Sequence, residues 1–138
     1  MKNFSKIVLV LGAMLILVAA LAEGKGRKLP IGAYIKSAKI DIISGDLERY
    51  PEALAMLDSL AMHYGPHAEG LYLTSQIYVD YIEQTAGPWD KKPYVEKMVT
   101  YIDSLHMCCE NKDIKKKHRD GCQEYLTKAD SVKVKYWR

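Results

Sequence analysis

The stretch YPEALAMLDSLAMHYGPHAEGLYLTSQIY, residues 50–78, decides the fold. Up to the dipeptide Gly65-Pro66, its apolar residues recur three or four positions apart, which is the spacing of one face of an α-helix. The same spacing resumes after the dipeptide, and Gly-Pro is itself typical of a turn. Residues 50–78 therefore predict two amphipathic helices joined by a short turn.

Helical spacing extends over the rest of the chain after Pro30, and no stretch shows the strict alternation that is typical of a strand. Short segments that contain glycine, proline, asparagine or aspartate separate the periodic stretches. The predicted helices span residues 31–44, 48–64, 68–84, 92–109 and 113–138. Five amphipathic helices with short connections predict an all-α array of antiparallel hairpins over residues 31–138.

Residues 1–22 have the three parts of a secretory signal peptide: a basic start, an apolar run and the small-residue ending ALA. The alternative is an uncleaved membrane anchor, although the apolar residues 7–22 fall short of the ~20 that span a bilayer. Residues 23–30 are interpreted as a linker. We therefore expect an exported protein, periplasmic or extracellular, that contacts the membrane only through its N-terminal segment if that segment is uncleaved.

The basic character of the chain, a formal net charge of +3, comes partly from its N-terminal segment. Without residues 1–22, which contain Lys2 and Lys6, 18 basic residues face 17 acidic ones. Such a balance provides no electrostatic argument for nucleic-acid binding. We expect no nucleic-acid partner.

Internal similarity links alternate helices of the chain. LDSLAM at residues 57–62 matches IDSLHM at 102–107, an offset of 45 positions, and YLT occurs at both 72–74 and 125–127. Even-numbered helices thus resemble even-numbered ones, and odd-numbered helices resemble odd-numbered ones. This alternation indicates a repeat made of helical pairs.

With this repeat, residues 50–78 resemble the tetratricopeptide repeat family. The residues that carry the resemblance fall at or next to the family's positions in one B helix, its turn and the next A helix: Ala53, Leu57, Leu60, Pro66, Leu71, Thr74, Ser75 and Tyr78. Thr74 departs from the usual Leu, and Pro66 is one place late. The resemblance implies a degenerate α-solenoid in which stacked helical pairs form the core and a concave face binds a protein or peptide.

The concave face of such an array is lined by the odd-numbered helices, so the partner-binding residues are expected there. Aromatic anchors mixed with adaptable polar groups are typical of docking surfaces. The candidates are Lys36, Lys39, Tyr72, Gln76, Asp80 and Tyr81. Core packing is the alternative for the two tyrosines, and a solvated face is the alternative for the charged residues.

Trp137 is a second candidate for docking. It is a large apolar side chain at an end that carries no helix-capping signal, where a solenoid normally presents a polar face. We expect either that Trp137 docks onto a partner or a second copy, or that the chain belongs to a longer repeat protein.

No catalytic motif stands out. The sequence contains no nucleophile elbow and no HExxH, and GKGRK at 24–28 lacks the spacing and helix context of a phosphate loop. Acidic residues are scattered over predicted solvated faces and none is set in an apolar frame. We expect no enzymatic activity and no cofactor. The expected function is the docking of an unidentified protein or peptide at the cell envelope.

Cysteines and histidines cluster where the fourth predicted helix ends and the fifth begins. A disulfide between Cys109 and Cys122 would suit an oxidising compartment. Buried core thiols are a second interpretation, and a zinc site of His106, Cys109, His118 and Cys122 is a third. An exported metal- or thiol-binding helical protein is therefore the alternative function. Because the chain has three cysteines, any disulfide leaves one of them unpaired. We expect Cys108, which lies off the apolar stripe, to be that residue.

The disulfide depends on where the last helix begins. A stripe over residues 114–125 favours a start at Asp113. Cys122 would then lie about 13 Å along the helix axis, beyond disulfide reach of Cys109. A start near Asp120 would instead let the two cysteines meet.

Overall fold

The computed structural model describes residues 28–137. These residues are 83% helical and contain five α-helices, two short 3₁₀ helices and no strand. The α-helices are α1 (Ile31–Ser44), α2 (Tyr50–Tyr64), α3 (Ala68–Gln84), α4 (Pro88–Glu110) and α5 (Cys122–Tyr136). The all-α class predicted from the sequence is confirmed. The predicted signal peptide or anchor, residues 1–22, lies outside the described residues.

The first three helices have nearly the predicted bounds. The difference lies before α2, where a 3₁₀ helix, Leu47–Arg49, occupies the first residues of the predicted second helix. Asp46 caps this turn, because its side chain accepts a hydrogen bond from the Glu48 N–H at 3.0 Å. Arg49 in turn pairs with the buried Asp41 of α1 at 3.2 Å, which ties the turn to the preceding helix.

Helix α4 begins at Pro88, four residues earlier than predicted. Gly87, which has a positive φ of +87°, precedes it, and Pro88 occupies the first helical position, where a missing N–H costs nothing. Gly87 and Pro88, which lie between the third and fourth predicted helices, therefore form the start of α4. This change places Trp89 on α4 rather than in a loop. Within residues 28–137, no helix combines the length and hydropathy that crossing a membrane requires.

Helix α5 begins at Cys122, so the predicted start at Asp113 is wrong. A 3₁₀ helix, Lys116–Arg119, fills part of the interval, and Gly121 before α5 is left-handed (φ +80°). The predicted stripe was misleading because Ile114 is half-buried in irregular backbone and His118 is buried in the 3₁₀ helix. These two residues are shielded by packing against their neighbours and not by belonging to α5.

Helix α3 is the central helix of the described chain, since it packs against each of the other four α-helices. The α1–α2 and α3–α4 pairs have the most extensive contacts. One core lies around α3, α4 and α5, where the buried residues include Ile82, Met98, Ile102, Leu105 and Ala129. On the α1–α2 side, the fully buried side chains include Tyr34, Tyr50 and Leu60. Burial of these apolar surfaces provides the driving force for packing the helices together.

Candidate docking site

Both tryptophans of the chain border one cleft, which lies between the start of α4 and the end of α5. Trp89 is 82% exposed and Trp137 is 52% exposed. The cleft has a volume of about 540 Å³, and the buried Ile82 at the end of α3 contributes to its lining. Large exposed aromatic side chains beside an apolar recess are typical of a docking surface. We call this feature the tryptophan cleft.

The ends of three helices build the tryptophan cleft. Trp89 is the second residue of α4, and Trp137 directly follows the last residue of α5. The Tyr136 hydroxyl donates a hydrogen bond to the Glu83 carboxylate of α3 at 2.8 Å, and the Lys135 ammonium lies 5.1 Å from the centre of the Tyr136 ring. These contacts position the end of α5 against α3. Trp137 is therefore held at the edge of the recess by its neighbours in sequence.

The charge around the tryptophan cleft is mixed, with an excess of cations. Lys91 and Lys92 line it together with a single carboxylate, Glu96. Val95 and Pro88 add apolar surface to the same wall. The arrangement suits an apolar segment that carries acidic residues, because apolar burial supplies affinity and the lysines supply orientation.

The predicted concave-face residues are mostly engaged within the chain. Lys39 forms an ion pair with Glu69 at 2.6 Å, and Tyr72 stacks on Tyr125 with ring centres 4.8 Å apart. Lys36 is exposed and Gln76 is half-buried. Burial and the Glu69 carboxylate raise the pKa of Tyr125 to about 12.

Of the remaining two candidates, Tyr81 belongs to a cluster of packed tyrosine rings, and Asp80 contacts this cluster. The Tyr50 hydroxyl donates to Asp80 Oδ2 at 2.6 Å. The Tyr81 ring lies 5.7 Å from that of Tyr50 and 5.1 Å from that of Tyr94. Burial raises the pKa of Tyr81. These contacts join α2, α3 and α4, which gives the tyrosines a packing role and leaves the tryptophan cleft as the more available apolar surface.

The residues of the predicted zinc site do not converge. Cys109 and Cys122 form a disulfide, with Cα atoms 5.8 Å apart, so neither provides a thiolate ligand. His106 Nε2 lies 2.7 Å from Asp130 Oδ1. His118 packs against Tyr64 and His67. Nowhere in residues 28–137 are three or more His, Cys, Asp or Glu side chains grouped so that they could hold a metal ion.

The disulfide forms because α5 starts late, at Cys122, close to the end of α4. Cys108 is the free cysteine of the described chain, and it is 1% exposed, in the core with Leu105. The expectation that Cys108 lies off the apolar face is therefore wrong. The Cys108 thiol packs in the core, and its neighbour Cys109 forms the disulfide. Burial raises the pKa of the Cys108 thiol, which keeps it protonated.

His118, which the sequence offered as a candidate zinc ligand, is a buried polar residue. It is 6% exposed, and its Nε2 atom has no hydrogen-bond partner. Its ring centre lies 5.5 Å from that of His67, which caps α3 by accepting a hydrogen bond from the Gly70 N–H at Nδ1. Burial lowers the pKa of both histidines.

Fold and site together define an all-helical protein with a two-tryptophan cleft and one disulfide between its last two helices. No family model matches the chain, and comparisons with curated proteins and with solved structures yield no significant match. The sequence identified Trp137 as a candidate, whereas Trp89 falls between the third and fourth predicted helices and was missed. The sequence signal that could have pointed to Trp89 is composition, because Trp89 and Trp137 are the two tryptophans of the whole chain.

Proposed function

We propose that this protein is a non-enzymatic helical-repeat module that docks a segment of another protein at the cell envelope. The observation that carries the proposal is the tryptophan cleft. Trp89 and Trp137, from the ends of two helices, border one recess with an apolar floor and an excess of lysine. The segment it binds is apolar, with acidic residues that pair with Lys91 and Lys92.

The repeat architecture belongs to the same proposal: a solenoid of antiparallel helical pairs, similar to tetratricopeptide repeats. Its support is the matching environment of the two similar segments. Leu57 and Leu60 are buried in the first, as Ile102 and Leu105 are in the second. Met62 and Met107, which end the two segments, are both exposed. The contacts of α3 with α1 and with α5 also fit stacked pairs.

Export to the periplasm or the extracellular space completes the proposal. The disulfide between Cys109 and Cys122 supports it, because disulfides persist in oxidising compartments and are rare in the reducing cytosol. The signal-peptide pattern in residues 1–22 points the same way.

Site-specific photo-crosslinking of the full chain in its source cells tests the docking proposal. A benzophenone amino acid replaces Trp89, and in a matched control it replaces Ile43, which is equally exposed (82%) but lies on α1, outside the cleft. We expect a discrete protein adduct from position 89 and none from position 43. Adduct formation at position 89 should disappear when Lys91 and Lys92 are changed to Glu. Absence of a discrete adduct at 89, or equal adducts at both positions, would refute the proposal.

Intrinsic fluorescence provides an independent readout. Since both tryptophans of the chain border the cleft, tryptophan emission reports on this site alone. Binding of a peptide from the crosslinked partner should shift the emission to shorter wavelength, because the ligand removes water from the two indoles. A bound peptide that leaves the emission unchanged would place the docking surface elsewhere.

A further inference from the structure

The Cys109–Cys122 disulfide lies at an open cavity at the other end of α5 from the tryptophan cleft. The cavity has a volume of about 370 Å³, and both cysteines contribute to its lining. Both cysteines are half-buried, and the cavity beside them is large enough to hold a small thiol.

The cavity is cationic. Lys116 and Arg119, from the 3₁₀ helix between α4 and α5, line it together with one carboxylate, Asp120. Arg119 is held in place, since its Nε–H donates a hydrogen bond to the Ile114 carbonyl at 3.0 Å. Two cations beside a disulfide attract an anionic reagent and stabilise a thiolate released there.

The two sulfur atoms occupy unlike electrostatic positions. Cys122 is the first residue of α5, a helix of 15 residues, whereas Cys109 is the next-to-last residue of α4. Unpaired N–H groups at a helix start stabilise negative charge, and unpaired carbonyls at a helix end oppose it. A thiolate is therefore better stabilised on Cys122 than on Cys109, so Cys122 is the better leaving group.

We propose that the Cys109–Cys122 disulfide is a thiol–disulfide exchange site for small thiols that carry carboxylates. The thiolate of such a molecule attacks the Cys109 sulfur, the bond between Cys109 and Cys122 breaks, and Cys122 leaves as a thiolate. The product is a mixed disulfide on Cys109. A second thiolate then attacks the sulfur of the bound small molecule, releases the Cys109 thiolate and forms the small-molecule disulfide, so two electrons pass to the protein.

Cys108 takes no part in this exchange. Its side chain is 1% exposed and belongs to the core between α3, α4 and α5. The site is also independent of the proposed docking function, because none of its residues borders the tryptophan cleft.

Reduction kinetics of the full-length protein test the proposal. Glutathione, which carries two carboxylates, is compared with the uncharged 2-mercaptoethanol, and the loss of the bridge is followed by acid quenching and mass spectrometry. Each rate constant is divided by that for the small disulfide bis(2-hydroxyethyl) disulfide, which removes the intrinsic reactivity of the thiol. We expect the normalised rate constant of glutathione to be several-fold higher, and this preference to vanish in ~1 M salt, where charges are screened beyond about 3 Å.

Two variants distinguish the cavity from general surface charge. Lys116→Gln removes a cation that lines the cavity, whereas Lys117→Gln removes an exposed cation of the same 3₁₀ helix that does not line it. The preference for glutathione should fall several-fold in Lys116→Gln and persist in Lys117→Gln. Equal effects of the two substitutions, or a bridge that glutathione reduces only in denaturant, would overturn the proposal.

Peptide mapping of the trapped intermediate tests the direction of attack. The glutathione adduct should be found on Cys109, with Cys122 available to an alkylating reagent. An adduct found mainly on Cys122 would overturn the assigned leaving group. Docking at the tryptophan cleft should be unaffected by Lys116→Gln, so failure of one proposal is distinguishable from failure of the other.

Discussion

The Tyr50 hydroxyl at the start of α2 donates a hydrogen bond to Asp80 Oδ2 near the end of α3, at 2.6 Å. Tyr50 is 1% exposed, and its ring packs edge-on against that of Tyr81. The contact joins residues 30 positions apart in sequence. It connects the α1–α2 pair to the central helix through a charged acceptor in a largely buried setting.

Tyr50→Phe should therefore lower the free energy of unfolding by about 2 kcal/mol, because it removes a hydrogen bond to a charged group and keeps the ring packing. Urea denaturation followed by circular dichroism measures the change. Asp80→Asn is the matched control, since the amide oxygen can still accept the hydrogen bond, and it should cost less. A Tyr50→Phe variant as stable as the wild type would show that the bond contributes nothing net.

Removing the disulfide should also destabilise the protein. Cys109 and Cys122 are 13 positions apart, and closing a loop of this size restricts the unfolded chain by about 3 kcal/mol. The double variant Cys109→Ser/Cys122→Ser should show this loss in urea denaturation. A reducing agent should lower the stability of the wild type by a similar amount and leave the double variant unchanged. An effect of the reductant on the double variant would point to another cause.

Acid should destabilise the contact between His67 and His118. Burial lowers the pKa of both rings. The pKa of His67 is lowered further by His118 and raised by Glu69 and Asp120, whereas Lys117 and Lys115 lower the pKa of His118 further. Protonation of His67 at Nδ1 would also remove the acceptor for the Gly70 N–H and place a positive charge at the start of α3.

The sign of the pH effect follows from the lowered pKa values. Above the unfolded-state pKa of about 6.5, both forms of the chain hold neutral rings and the contact contributes fully; as the pH falls below it, the unfolded chain binds protons first. The free energy of unfolding should then decrease by up to about 1.4 kcal/mol per pH unit for each histidine. His67→Asn keeps a capping acceptor and removes one titrating group, so its slope between about pH 6.5 and the folded-state pKa should be shallower. An unchanged slope would contradict this assignment.

Gly121 should not tolerate a side chain. Its φ of +80° strains any L-residue, and a Cβ atom there would lie 2.7 Å from the Tyr125 ring. Gly45 has a similar φ of +68° but open space around it, which makes Gly45→Ala the matched control. We expect a loss of about 1 kcal/mol for Gly45→Ala from the backbone alone. Gly121→Ala should lose about 1–3 kcal/mol more from the clash. Thermal denaturation measures both, and equal losses would rule out the steric contribution.

Much of the fold could be predicted because local chemistry and packing agree. In α1 and α3 the apolar period, the turn residues and the observed bounds coincide. The prediction failed where the local sequence pattern and the packing of the chain disagree. Ile114 and His118 extend a helical stripe in the sequence, yet the left-handed Gly121 separates them from α5. A spacing of apolar residues cannot distinguish a helix from a 3₁₀ turn that is buried by its neighbours.

The candidate site was predictable only in part. Trp137 stood out as a large apolar side chain near the C-terminus, but its pairing with Trp89 depends on the packing of α5 against α3, through contacts such as the Tyr136–Glu83 hydrogen bond. Most of the concave-face candidates contact other residues of the same chain, which the sequence does not show. Composition shows that a tyrosine can anchor a partner, but it does not show whether another tyrosine of the same chain already covers its ring.

The sequence by itself determined that most of residues 31–137 form amphipathic helices and where most of these helices end, because helical periodicity and glycine or proline turns act over a few residues. It left open whether Cys109 reaches Cys122 and which aromatic rings stay exposed, and it placed the Cys108 thiol off the apolar face, although Cys108 is buried. Only the tertiary structure decided these points. They depend on distances between residues far apart in sequence, and those distances are set by how the helices pack.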